Sequence, residues 1–251
     1  MPNIKFYLVS YDRVLDRAVE SLSEEDLKKV KCYAIQKKVP KSVTDKIDTL
    51  NEWEMEWNDY KYQEKQYYEY GAIAHLTKNP KMTEGLTHVG LLHYDVKFGK
   101  ESISKMEESL SKNPNKIYYN CIRGVQDLYL TQEHFLGICD FMTRRLGVTI
   151  DPNRIIKTGW VSEALSVTPI AVFNHFGKFL VNHGHEIEDI LISNRWGIMN
   201  HINHRICGIV ERMWGFYLIS LKYEMEKMEI EHDWDFYQHQ HHQEKNWITG
   251  K

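Results

Sequence analysis

The stretch that most constrains this chain is Thr87-His88-Val89-Gly90-Leu91-Leu92-His93-Tyr94-Asp95-Val96-Lys97-Phe98. Its apolar run from His88 to Leu92 reads as a buried strand. The run empties into His93-Tyr94-Asp95, an imidazole and a carboxylate two residues apart. In an open α/β sheet, ligands bind beyond the carboxyl ends of the strands. A carboxylate at that place can hold Mg²⁺ or Mn²⁺, cations that take oxygen ligands and share their coordination with substrate phosphates. A strand end whose polar residues merely face water fits the same twelve residues.

The chain opens in a related way. Ile4 to Val9 is an apolar run bounded by Ser10-Tyr11-Asp12-Arg13, which predicts a first buried strand. Val14, Leu15, Ala18, Val19 and Leu22 follow at helical spacing. Strand, polar turn and helix form half of a nucleotide-binding unit. The turn lacks a Gly-rich fingerprint, which excludes a dinucleotide or P-loop motif. Ser10, Tyr11 and Asp12 are placed to meet a base and ribose, although Asp12 equally suits a helix N-cap.

Further along, the pattern predicts a strand over Lys31–Val39 and a Tyr-rich helix over Lys61–Lys78, stopped at Asn79-Pro80. An amphipathic helix is expected over Ser102–Leu110, then strands over Lys116–Ile122 and Asp127–Leu130. Gln132–Leu146 reads as a helix closed by Gly147. Pro152–Leu165 reads as a loop leading into a helix. Thr168–Phe173 reads as extended and then helical through Leu180, with His183-Gly184-His185 breaking the helix. From Trp196 to Tyr223, Ile198, Ile202, Ile206, Ile209, Met213, Phe216 and Leu221 recur at helical intervals. A charged tail follows. No repeat, Ser/Gly linker or low-complexity block divides the chain, so a single domain over residues 1–251 is expected.

Charge and cysteine usage narrow the class. Lys+Arg 32 against Asp+Glu 35 leaves no general basic surface for phosphate neutralisation, so a nucleic-acid partner is not expected. Cys32, Cys121, Cys139 and Cys207 form no C-x-x-C pair, and the opening residues have no signal-peptide pattern. No run approaches the length of a transmembrane segment. A cytoplasmic protein with reduced thiols is expected. The 15 Tyr and 7 Trp suit a carbohydrate or base pocket, and a Tyr-rich core or interface accounts for them equally well.

Several separated patterns then line up with one family. Tyr68-Glu69, Lys78-Asn79 and Val89-Gly90-Leu91-Leu92-His93-Tyr94 resemble the hallmark of capsular-polysaccharide-type glycosyltransferases, whose cores run Y-C-E-L-T, W-K-N and I-G-L-x-H-Y-R-R. Asp127-Leu128-Tyr129-Leu130 with Glu133, Phe135 and Phe141 resembles their N-M-F-I-M segment. Arg205, Gly208, Glu211-Arg212 and Tyr217-Leu218 resemble their R…G…E-R…Y-L helix. The islands span residues 60 to 220 in the family's order. Where the family has H-Y-R-R, this chain has His93-Tyr94-Asp95-Val96, with an acid where GT-A enzymes commonly keep a D-x-D metal motif.

The resemblance implies an α/β, GT-A-like nucleotide-sugar-binding sandwich with a mostly parallel central sheet and a helical C-terminal third. Residues 1–98 would form the nucleotide-sugar half, 99–223 the acceptor and catalytic half, and 224–251 the tail. It implies metal-assisted transfer of a sugar from a UDP- or GDP-linked donor to a glycan or polysaccharide acceptor. Asp95 is then the metal ligand for Mn²⁺ or Mg²⁺, with His93 supporting it directly or through a water. His232 is a candidate to complete the shell. Asp127 ranks first as the base that takes the acceptor proton, and Glu163 second. Either acid could instead cap a helix or pair with Arg123 or Lys157. Ser10, Tyr11, Asp12, Arg13, Tyr68, His93, Tyr94, Arg205 and Arg212 are the candidate donor contacts. His183, His185, His201, His204, His239, His241 and His242 lack zinc-site spacing. Loss of the family's paired arginines leaves an alternative, a catalytically idle module that binds carbohydrate or protein on the same fold.

Overall fold

The first strand, β1 (Ile4–Ser10), buries Ile4, Phe6 and Leu8 on one face and Tyr7 and Val9 on the other. A strand that is apolar on both faces belongs inside a sheet covered on two sides. In the computed structural model, which describes residues 2–10, 14, 16–59, 67–192 and 206–232, it lies there. The other strands are β2 (Val30–Ala34), β3 (Thr49–Asn51), β4 (His88–His93), β5 (Val96–Phe98), β6 (Lys116–Arg123), β7 (Trp160–Pro169), β8 (Glu224–Lys227) and β9 (Ile230–His232). Seven of them form one sheet in the order β3-β2-β1-β4-β7-β6-β8, and β5 pairs with β9 in a separate ribbon. Only the pairings of β7, with β4 and with β6, run antiparallel in the seven-stranded sheet. The mixed α/β architecture with a mostly parallel central sheet matches the expectation.

Helices are α1 (Asp16–Val19), α2 (Glu24–Leu27), α3 (Lys41–Thr44), α4 (Glu69–Lys78), α5 (Ser102–Lys112), α6 (Gln132–Leu146), α7 (Pro152–Thr158), α8 (Ile170–Ile192) and α9 (Ile206–Ser220). One core joins Tyr7, Val9, Val89 and Leu91 to the inner faces of α4, α6, α8 and α9. The other joins Ile4, Phe6, Leu8 and Leu92 to α5 and the β5–β9 ribbon. Gly90 is required by this second packing: a Cβ there would sit 2.5 Å from Cδ1 of Phe6, whose ring meets Phe98 edge-on. The glycine of the G-L-x-H-Y pattern is thus a packing residue.

Four local expectations are corrected. Asp127–Leu130 is not a strand; Val125–Leu128 form a 3₁₀ turn, and Tyr129 follows with φ 53°. Pro152–Leu165 is not a loop leading into a helix but the reverse, helix α7 and then strand β7. Gly159 makes that junction, with φ 90° and a missing Cβ that would strike the Arg123 carbonyl. The Leu165-Ser166-Val167-Thr168 alternation is the strand signal in this segment. His183-Gly184-His185 does not break α8. The helix carries the roughly 1 kcal/mol cost of a mid-helix glycine where the Tyr67 hydroxyl donates to Glu188 Oε1 with Gly184 O 3.3 Å away, and where Glu186 holds His183 and Arg145. Finally, the segment read as a charged tail begins with two strands, β8 in the main sheet and β9 in the ribbon. The helix expected over Trp196–Tyr223 is present as α9; residues 193–205 lie outside the described set. No helix among the described residues is long and apolar enough to cross a membrane.

Candidate functional site

The chain runs from β1 to β2 and β3 on one side and returns to place β4 on the other. Such a reversal opens a crevice beyond the carboxyl ends of the two diverging strands. Val9 pairs with His93 at that end, so Ser10 and His93 flank it. After His93 the chain turns, and Val96 starts β5, where it sits opposite His232 of β9. That pairing brings together three side chains that are distant in sequence.

His93, Asp95 and His232 each place one ligand atom within 4.8 Å of the other two. Asp95 Oδ1 is 3.3 Å from His232 Nδ1 and 4.0 Å from His93 Nδ1, and the two rings are 5.2 Å apart. Asp95 is 1% exposed, yet Oδ1 accepts no aligned hydrogen bond from a described residue. A buried carboxylate oxygen facing two imidazole nitrogens can pair with a protonated His232 or share a cation with both rings.

Around the triad stands a ring of acids. Glu69, the first residue of α4, lies 3.4 Å from His93 Nε2. Glu163 Oε2 lies 3.1 Å from His232 Nε2, while Glu163 Oε1 accepts from Arg123, which also donates to Ser162 Oγ. Glu163 has φ 70° at an irregularity in the β6–β7 pairing, where three residues of β7 stand against Asn120 alone. Bulges of this kind re-aim a side chain. The Glu163 N–H is taken by Glu211 Oε1 at 2.7 Å.

Charge follows the geometry. Burial alone would lower His232, but the Asp95 and Glu163 carboxylates push it up to about 9. Burial alone would raise Glu163, but His232 and Arg123 bring it down to about 2. Asp95 likewise falls below the usual range, held by His232 and His93 against its burial. Burial raises Glu211. In chelator-treated protein, a histidine raised in this way stabilises the fold fully below its unfolded value of ~6.5. That contribution is lost as pH rises through about 9. Urea midpoints of the chelated protein should therefore fall between pH 7 and roughly 9.5, and His232→Gln should flatten that fall. An equal fall in His232→Gln would remove His232 as its source.

The remaining candidates divide. Asp127 is half-buried in a cleft of about 360 Å³ whose walls include Arg123, Glu163, Lys227 and Glu231. Its carboxylate makes no hydrogen bond or ion pair to a described residue. Ser10 is buried at the end of β1, and its side chain contacts the Cys32 thiol. Tyr68, with φ 50°, precedes α4, and Tyr94 is half-buried in the turn between His93 and Asp95. Arg212, expected at a diphosphate, is turned inward. Its guanidinium donates to Leu128 O and Gly208 O and lies over the Trp160 ring. Those contacts tie α9 to the 3₁₀ turn and leave it in packing. Tyr11, Asp12, Arg13 and Arg205 lie outside the described residues. The sequence reading gave no role in the site to Glu69, Glu211 or Arg123 beyond pairing, because their neighbours come from remote elements.

No protein-family model matches the chain, and none of the curated proteins does. Among solved structures, the chain is similar to the apo structure of WbbM, a bifunctional glycosyltransferase, with a TM-score of 0.52 and 14% identity. The match covers 91% of this chain and 45% of WbbM, so the chain spans less than half the length of that protein. At this identity the likeness establishes a glycosyltransferase-like fold.

Proposed function

We propose that the chain transfers a sugar from a UDP- or GDP-linked donor to a glycan or polysaccharide acceptor, in the manner of the capsular-polysaccharide-type enzymes it resembles. The observation that carries this reading is Asp95, a buried acid between His93 and His232 at the crevice where the strand order reverses. These three side chains would hold the ion, and their two imidazoles favour Mn²⁺ over the harder Mg²⁺. A bound cation there supplies Lewis-acid neutralisation of the departing diphosphate.

The pairing of the acids and arginines around the site supports that reading. Asp95, Glu69, Glu163 and Glu211 surround the crevice, Arg123 is occupied by Glu163, and Arg212 by backbone carbonyls. Those pairings leave neither arginine open to a diphosphate, and a bound cation would supply the missing positive charge. Asp127 is a half-buried acid open to the cleft, which suits a base receiving the acceptor proton. Glu163, paired on both oxygens and held at about 2, is poorly suited to that task.

A thermal-shift panel of UDP-, GDP- and CMP-sugars with and without Mn²⁺ tests the reading. One nucleotide class should raise the midpoint by about 5 °C at a hundredfold excess over its Kd, and only with the metal present. No response to any nucleotide, together with stabilisation by free glycans, would instead identify a carbohydrate-binding module.

A further inference from the structure

Outside the three inner ligands, the two histidines share a second feature. Each turns Nδ1 toward Asp95 and Nε2 toward a different carboxylate. At His232 the distances are 3.3 Å to Asp95 and 3.1 Å to Glu163. At His93 they are 4.0 Å to Asp95 and 3.4 Å to Glu69. The carboxylates come from unrelated elements, the start of α4 and the irregular part of β7, yet they occupy equivalent positions behind the two rings.

We propose that Glu69 and Glu163 are positioning residues that fix the tautomer and ring orientation of His93 and His232, so that both Nδ1 atoms face one cation beside Asp95. The inference rests on the metal-site reading above. A histidine can ligate only through a bare nitrogen, and a carboxylate behind the other nitrogen keeps the proton there. The same contact makes the ring a more basic ligand.

The backbone supports this assignment. Glu163 has φ 70°, and Tyr68, immediately before Glu69, has φ 50°. Non-glycine residues in such conformations are strained and collect where a side chain must be aimed. At Glu163 the conformation is secured at three points: Glu211 takes its N–H, Arg123 takes Oε1, and His232 lies against Oε2. An acid in the first turn of α4 would also complement the helix dipole. That role stabilises the helix but gives no reason for metal affinity to change.

The test is Mn²⁺ titration, followed by loss of the free-ion EPR signal, of wild type, Glu69→Gln, Glu69→Asp, Glu163→Gln and the surface control Glu108→Gln. Each Gln variant should bind Mn²⁺ about 10- to 100-fold more weakly. Glu69→Asp should recover part of that loss, and Glu108→Gln should match wild type. The visible spectrum of the Co²⁺-loaded protein should shift in both Gln variants, an effect that a purely structural role would not produce. Should Glu163→Gln fail to fold, Glu69→Gln decides the matter, because Glu69 sits at a helix start rather than in the irregular strand. Wild-type affinity and an unshifted Co²⁺ spectrum in Glu69→Gln would overturn the positioning role while leaving the metal site intact. A wild-type protein that takes up neither Mn²⁺ nor Co²⁺ would overturn the metal site, and the positioning role with it.

Discussion

Asp95→Asn should lower Mn²⁺-dependent sugar transfer by about 10³-fold, equivalent to about 4 kcal/mol of barrier. The substitution keeps the size of the side chain but removes the one negative charge that stands between His93 and His232. Without it, the candidate ligand set is reduced to two imidazoles, and the neighbouring acids repel the leaving diphosphate unopposed. Mn²⁺ binding should weaken in parallel. The fold should persist, since His232 keeps Glu163 as a partner. Turnover at saturating Mn²⁺, with circular dichroism as a check on folding, decides the case. A variant turning over within about threefold of wild type would mean that Asp95 holds no catalytic cation.

Asp127→Asn should have the second-largest effect, a drop in kcat of about 10²- to 10⁴-fold with donor affinity unchanged. The separation follows from position. Asp127 lies on the cleft wall with Lys227 and Glu231, whereas the metal candidates lie behind Glu163. Removing a base affects proton transfer from the acceptor and leaves untouched the groups that would hold the donor. Comparing steady-state kcat with the donor-induced thermal shift separates the two quantities. An unchanged kcat would rule out Asp127 as the base.

The parts of this molecule that could be read from sequence are those in which local pattern and tertiary environment agree. Ile4–Val9 and His88–Leu92 are continuous apolar runs, and both are buried strands. Helix α6 carries its signals at both ends, Thr131 accepting from His134 N and Gly147 at φ 68°. Reading failed where a distant partner decided the outcome. Gly184 continues a helix in a place where Tyr67, remote along the chain, packs beside it. Trp160–Pro169 is a strand whose alternation is interrupted by the irregularity at Glu163. In the site, His93 and Asp95 are neighbours in sequence and were legible together. His232 could be suspected as a partner, but its register opposite Val96 depends on the β5–β9 pairing. That Glu69 and Glu163 both stand behind histidines has no sequence signal, since each contact joins elements remote along the chain.

The β9 strand also gives the proposed site an order of assembly. Domains generally fold as units. A polypeptide ending after β5 would carry His93 and Asp95 but lack the imidazole carried by Ile230–His232. On the metal reading, cation capture would wait until the ninth strand had been made. A product ending before that point would draw little manganese from the cellular pool, however well its early strands had folded.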